Sequence, residues 1–143
     1  MGGQSALLRA TAAKTAELLT EIRARGAEIE HARRVPDDLA RRMATAGMFR
    51  LLVPQQYGGL EVHPSAFFDA LADTARADGA VGWVQMIGTT TGILSASLPE
   101  AWAEALYVAK PDCISTGVTA PLGRATPVPG GYRVSGRWPF GSG

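Results

Sequence analysis

Few side chains in this sequence can do chemistry, and their spacing narrows what they could do. Cys113 is the only cysteine, and His31 and His63 are the only histidines. That excludes an internal disulfide, a zinc cluster and a multi-histidine metal centre. Cys113 reads as a small buried apolar group and His63 as a helix-start residue. The remaining candidates carry hydroxyls and aromatic rings. Thr89-Thr90-Thr91 lies in a run, residues 80–98, that has no Asp, Glu, Lys or Arg. Gly82, Gly88 and Gly92 are spaced along the same run, and such residues are poor helix formers. They mark either close packing or the face of a ligand cavity. Trp83 beside them is either core or a wall of a substrate pocket. Tyr57-Gly58-Gly59 is a tight loop whose paired glycines allow positive φ, and Tyr57 is a candidate substrate contact. At the other end, Trp138, Phe140 and Ser142 alternate. The two rings, taken alone, read as core residues of a β-structure. Ser142 reads as a turn residue. Thr119, before a turn, reads as structural when taken alone.

The elements that must position these residues are mostly helices. The chain has 143 residues, 46% of them hydrophobic, with 14 Lys+Arg against 13 Asp+Glu. This suits a soluble globular protein and not a disordered one. No run of like charge exists to track nucleic acid or an anionic membrane. No stretch approaches the roughly 18 continuous apolar residues of a membrane span. The N-terminal residues lack the layout of a signal peptide, and the lone cysteine makes a reducing cytoplasm the expected setting.

Residues 5–30 carry Leu7, Leu8, Leu18, Leu19, Ile22 and Ile29 as the apolar stripe of one helix. Pro36-Asp37-Asp38 opens a second helix, because proline fits a first turn and acids suit the positive end of the dipole. Leu39, Met43 and Ala46 share its face, and Gly47 stops it. Residues 48–54 form a buried connection. A third helix starts at Pro64, capped by His63, and buries Phe67, Phe68, Leu71 and Ala75. The uncharged run 80–98 reads as the central buried helix, and Pro99-Glu100 opens a short fifth one through Trp102 and Leu106. After Lys110 the pattern changes. Residues 113–118 are β-branched and read as a strand, and residues 127–134 as a hairpin about Gly130-Gly131. Two or three strands with open edges are marginal alone. The expected organisation is therefore mainly α: a helical domain over residues 1–110, then an incomplete β domain from 111 to 143, at the front of a longer protein or paired with another partner.

The order of helices, Pro54-x-x-Tyr57-Gly58-Gly59, more helices, and a Gly-rich hairpin ending in Trp138-Pro139-Phe140-Gly141-Ser142-Gly143 resembles the acyl-CoA dehydrogenase superfamily. That family has a helical N-terminal domain, a β-barrel domain and a C-terminal four-helix domain, with flavin between the last two. The details resemble its flavin-dependent monooxygenase branch. Where dehydrogenases carry Thr-Glu-Pro and then Gly-Ser-Asp, this sequence has Thr119-Ala120-Pro121 and Leu122-Gly123-Arg124-Ala125. Their Gly-x-Lys-x-Trp-Ile-Thr-Asn is replaced by Gly136-Arg137-Trp138-Pro139-Phe140-Gly141-Ser142-Gly143. A Gly-x-Trp-x-Phe-x-Ser-Gly segment is typical of two-component hydroxylases acting on phenols and similar rings.

The resemblance implies reduced FMN or FAD delivered by a flavin reductase, attack by O2, and a flavin C4a-hydroperoxide that hydroxylates a small apolar, aromatic substrate. It gives Phe140 the place of the ring wall, beside Trp138, and Ser142 the place of the group at the N5–C4=O edge. It puts Thr119 and the backbone about Val118 at the pyrimidine edge. It further implies a homo-oligomer, a base outside this segment, and about 240 further residues. Two other readings remain open at this point: an acyl-CoA dehydrogenase, and a non-catalytic helical assembly module.

Overall fold

The computed structural model describes the backbone of residues 2–141 and the side chains of residues 11–141. The side chains of Leu7 and Leu8, and Ser142 altogether, lie outside the described residues. Six helices come first: α1 (Gly2–Ala24), α2 (Gly26–Ala32), α3 (Asp37–Thr45), α4 (Pro64–Ala77), α5 (Gly79–Gly92) and α6 (Glu100–Ala103). A 3₁₀ turn, Ile93–Ser97, extends α5, and a π turn, Glu104–Val108, extends α6. Strands β1 (Arg124–Val128) and β2 (Gly131–Ser135) follow.

The expected first helix is two. The chain breaks at Arg25, ahead of Gly26, a weak helix former. Arg25 then bonds Glu21, Glu28 and Asp38, which ties α1, α2 and α3 at one corner. Helix α3 carries Asp37 and Asp38 in its first turn, and Gly47 follows it at φ 83°. His63 caps α4 by accepting from the Ser65 amide at 3.3 Å. Asp78 ends α4 and caps α5, its carboxylate accepting from the amides of Ala80 and Val81 at 2.9 and 3.0 Å.

Helix α4 packs on α5 and α1, and α3 packs on α1. The main core gathers Leu18, Ile22, Ile29, Leu39, Met43, Met48, Phe49 and Val81. A second cluster holds Val53, Tyr57, Ala103 and Tyr107, and a third holds Leu51, Leu60 and Phe67. The segment 48–54 is buried, as expected, except that Leu52 and Pro54 are partly exposed. On α4, Phe67 is buried but Phe68 and Ala75 are exposed and Leu71 is half-buried. The expected four-residue apolar face is therefore narrower.

Residues 113–118 are not a strand. Their β-branched composition favours extension, but a strand also needs a neighbour to share its ladder, and none pairs with it among the described residues. The hairpin is antiparallel, with Val128 opposite Gly131 and Arg124 opposite Ser135. Its loop is Pro129-Gly130, one residue earlier than expected. Proline followed by glycine at φ 84° meets the demand of a type II turn.

Candidate functional site

Helix α5 is amphipathic in an unusual sense. Its inward face is mostly glycine and polar side chains: Gly82, Gly88, Gly92, Gln85 and Thr89 are buried with Val81. Its large apolar residue Trp83 is 55% exposed, and Ile93 and Leu94 beyond it are exposed too. The glycines belong to the packed face. A Cβ on Gly82 would stand 2.9 Å from Ala75 Cα, and one on Gly92 would stand 2.9 Å from Val53 Cγ2. Close approach therefore explains the glycines, and the outward side is the apolar wall. The inward polar groups find local partners. Thr89 Oγ1 donates to the Met48 carbonyl at 3.1 Å, and Gln85 Nε2 donates to the same carbonyl at 3.4 Å. Thr90 and Thr91 donate back to Met86 and Ile87 carbonyls, as hydroxyls in helices do. Gln85 Oε1 is buried with no partner among the described residues.

The segment after Lys110 lies across this helix. Ile114 Cγ2 faces Gly88, and Gly117 faces the Thr91 side chain. The Ser115 hydroxyl sits 3.4 Å from the Tyr107 hydroxyl and 3.5 Å from the Gly88 carbonyl. Trp83 and Val84 join Ile29, Val35 and Ile114 along an open groove of about 1240 Å³, rimmed by Glu30, Arg33 and Arg34.

The candidate residues divide. Trp83 lies on the groove. Tyr57 is buried with Val53, Ala103 and Tyr107, away from the groove lining. Val118 is half-buried, with its Cγ2 facing Gly141, and Thr119 is exposed. Phe140 is 93% exposed, at φ 58°. Val118, Thr119 and the Phe140-Gly141 turn thus share one neighbourhood. Trp138 does a different job: its indole fills the space against Gly123 and Gly136, where a Cβ would meet it at 2.1 and 2.8 Å. Cys113 is half-buried, and less enclosed than expected.

The residue that the sequence reading passed over is Arg50. It is buried, 8% exposed. Its guanidinium donates to four main-chain carbonyls: Tyr57, Gly58 at 3.2 Å, Tyr107 at 2.8 Å and Pro111 at 2.9 Å. Burial lowers its pKa, and the side chains of Cys113, Tyr107 and Asp112 act the other way. The signal was present in Met48-Phe49-Arg50-Leu51-Leu52-Val53. A charge inside an apolar run must find buried partners. Gly58 makes room for it, and Gly59 lets the loop close on Val53. Gly58 has φ 75° and lies close to Arg50 Nη2, and a Cβ on Gly59 would come within 1.9 Å of the Val53 carbonyl oxygen.

Comparison with known proteins agrees with this architecture. Residues 4–102 match the family model described as acyl-CoA dehydrogenase, N-terminal domain. Over 121 residues the chain is 36% identical to indole-3-acetate monooxygenase of Pseudomonas putida, covering 85% of this chain and 31% of that protein. Over 126 residues it is 36% identical to the flavin-dependent monooxygenase oxygenase subunit HsaA of Mycobacterium tuberculosis, covering 88% and 32%. The crystal structure of 3-HSA hydroxylase from Rhodococcus sp. RHA1 superposes with a TM-score of 0.81 at 33% identity, over 90% of this chain and 33% of that one. The chain spans about a third of the length of the curated relatives it matches. With its mainly helical layout and terminal two-stranded sheet, the chain belongs to the acyl-CoA dehydrogenase N-terminal domain family, among relatives that are monooxygenases.

Proposed function

We propose that this chain is the N-terminal part of a flavin-dependent monooxygenase that hydroxylates a small apolar, aromatic substrate. Reduced FMN or FAD would come from a separate flavin reductase, and the working protein would be a homo-oligomer. The observation that carries the reading is the outward apolar side of α5, with Trp83 on the groove that Ile114 also lines. The apolar side chains of Trp83, Val84 and Ile114 along the groove offer packing surface to an aromatic ring. Relatives that act as oxygenase subunits support it.

A flavin ring needs a flat apolar contact and hydrogen-bonding groups at its rim. Phe140 is free to meet a ring face, and the Val118 side chain, with Thr119 next in sequence, lies near the adjoining Gly141. These residues fit one side of such a ring. They would hold it at the start of the β domain, residues 111–143, and Ser142 would add a hydroxyl at the N5 edge. Trp138 would support this ledge from behind. When bound, reduced flavin supplies the two electrons that activate dioxygen. One oxygen atom enters the substrate, and the other leaves as water.

The test uses the full-length polypeptide, photoreduced FMN or FAD, ¹⁸O₂ and a panel of phenols and indoles. Incorporation of one labelled oxygen into a product supports the reading. No incorporation, together with rapid reduction of oxidised flavin by an acyl-CoA, overturns it in favour of a dehydrogenase.

A further inference from the structure

We infer that Arg50 is a positioning residue, whose single guanidinium latches the segment carrying Val118 and Thr119 onto the helical domain. The inference rests on the flavin reading for its consequence, and on geometry for the latch itself. Residues 114–119 make no main-chain hydrogen bond to the main chain among the described residues. They are held by Ile114 against Gly88, Gly117 against Thr91, and the long Ser115 contacts. The firm anchor lies just upstream, where Arg50 Nη1 donates to the Pro111 carbonyl at 2.9 Å. The same side chain holds Tyr107, at the end of the π turn, and both Tyr57 and Gly58 of the glycine loop. It therefore joins three stretches of chain that no sheet or helix connects.

Only arginine fits this task. Its planar fork directs five N–H donors outward from one centre, whereas a lysine ammonium is a point with three. No carboxylate forms an ion pair with Arg50 among the described residues. The acceptors are backbone groups, so the interaction reports on chain position and not on neighbouring side-chain charge.

The test compares full-length Arg50→Lys with the parent and with Leu39→Ala, a core truncation in the main cluster. The readouts are thermal midpoint, flavin Kd, the ratio of product formed to O2 consumed, and the rate of proteinase K cleavage within residues 112–119. Arg50→Lys should raise the flavin Kd about tenfold or more, lower the product ratio, and speed cleavage within 112–119. Leu39→Ala should lower the midpoint while leaving Kd, ratio and that cleavage unchanged at temperatures where it is folded. Parental values in Arg50→Lys overturn the inference, as do equal losses in Leu39→Ala. If Arg50→Lys does not fold, Gly58→Ala takes its place, because its Cβ would stand 3.1 Å from Arg50 Nη2. Unchanged Kd and cleavage in that variant overturn the inference equally. If the parent binds no flavin, the functional reading fails, and cleavage within 112–119 still decides whether Arg50 holds the segment.

Discussion

A methyl group has no room between Gly88 and Phe49: a Cβ on Gly88 would stand 2.6 Å from Phe49 Cδ1. This contact sets how closely α5 approaches the buried connection, and Ile114 crosses at the same point. Gly88→Ala should destabilise the protein by about 1–3 kcal/mol through overpacking, although alanine gains about 1 kcal/mol in helix propensity. Gly79→Ala, at the open start of α5 with nothing within 4 Å, should be neutral or slightly stabilising. Urea midpoints of the two variants check the pair. Equal behaviour would remove the close approach at Gly88.

The orientation of α5 can be checked with one substitution at two positions. Val81 is fully buried in the main core, whereas Trp83 is mostly exposed. Val81→Asp buries an unpaired carboxylate, a change among the most destabilising known, and should abolish cooperative unfolding. Trp83→Asp should stay folded, with a thermal midpoint within a few degrees of the parent, while losing affinity for an apolar substrate. A folded Val81→Asp variant would show that the helix is turned the other way.

The corner where α1, α2 and α3 meet should be acid-sensitive. Arg25 donates to Asp38 at 2.6 and 3.0 Å and to Glu28 at 2.8 Å. Its hydrogen bond holds the Asp38 carboxyl at about 2, and also lowers that of Glu28. A depressed carboxyl pKa contributes stability that is present above the unfolded value and lost as pH falls through the folded one. For Asp38 the window runs from 3.8 down to about 2. The thermal midpoint should therefore fall across that range, and Asp38→Asn should flatten part of the fall. Salt should shrink the difference, since these groups face solvent.

Phe140 offers the simplest check on the flavin ledge. With 93% of its surface exposed, its removal should change stability by no more than about 0.5 kcal/mol. A ring contact is worth about 1 kcal/mol beyond its area, so Phe140→Ala in the full-length protein should raise the flavin Kd about tenfold. The 143-residue chain alone should bind FMN weakly or not at all, because Thr119 and Phe140 supply only one side of a ring. A tight stoichiometric complex in a fluorescence titration would contradict this.

Local chemistry determined much of the fold from sequence alone. Asp37 and Asp38 at a helix start, Gly47 after its end, His63 before Pro64 and glycine in the hairpin loop act through neighbours within four residues. Their outcomes are therefore legible without tertiary structure. The family likeness was legible for a similar reason, since it rests on short motifs in order. Three features were decided only by packing. The face that α5 turns inward could not be read, because a helix with no charged residue has no polar side to mark water, and its glycines proved to be the contact face. Residues 113–118 have strand composition but pair with nothing among the described residues, and a ladder requires a partner that composition cannot supply. Arg50 could be noticed as a charge in an apolar run, but its acceptors come from positions 57, 58, 107 and 111. Main-chain carbonyls are the same in every residue, so no sequence pattern marks which of them a buried guanidinium will find.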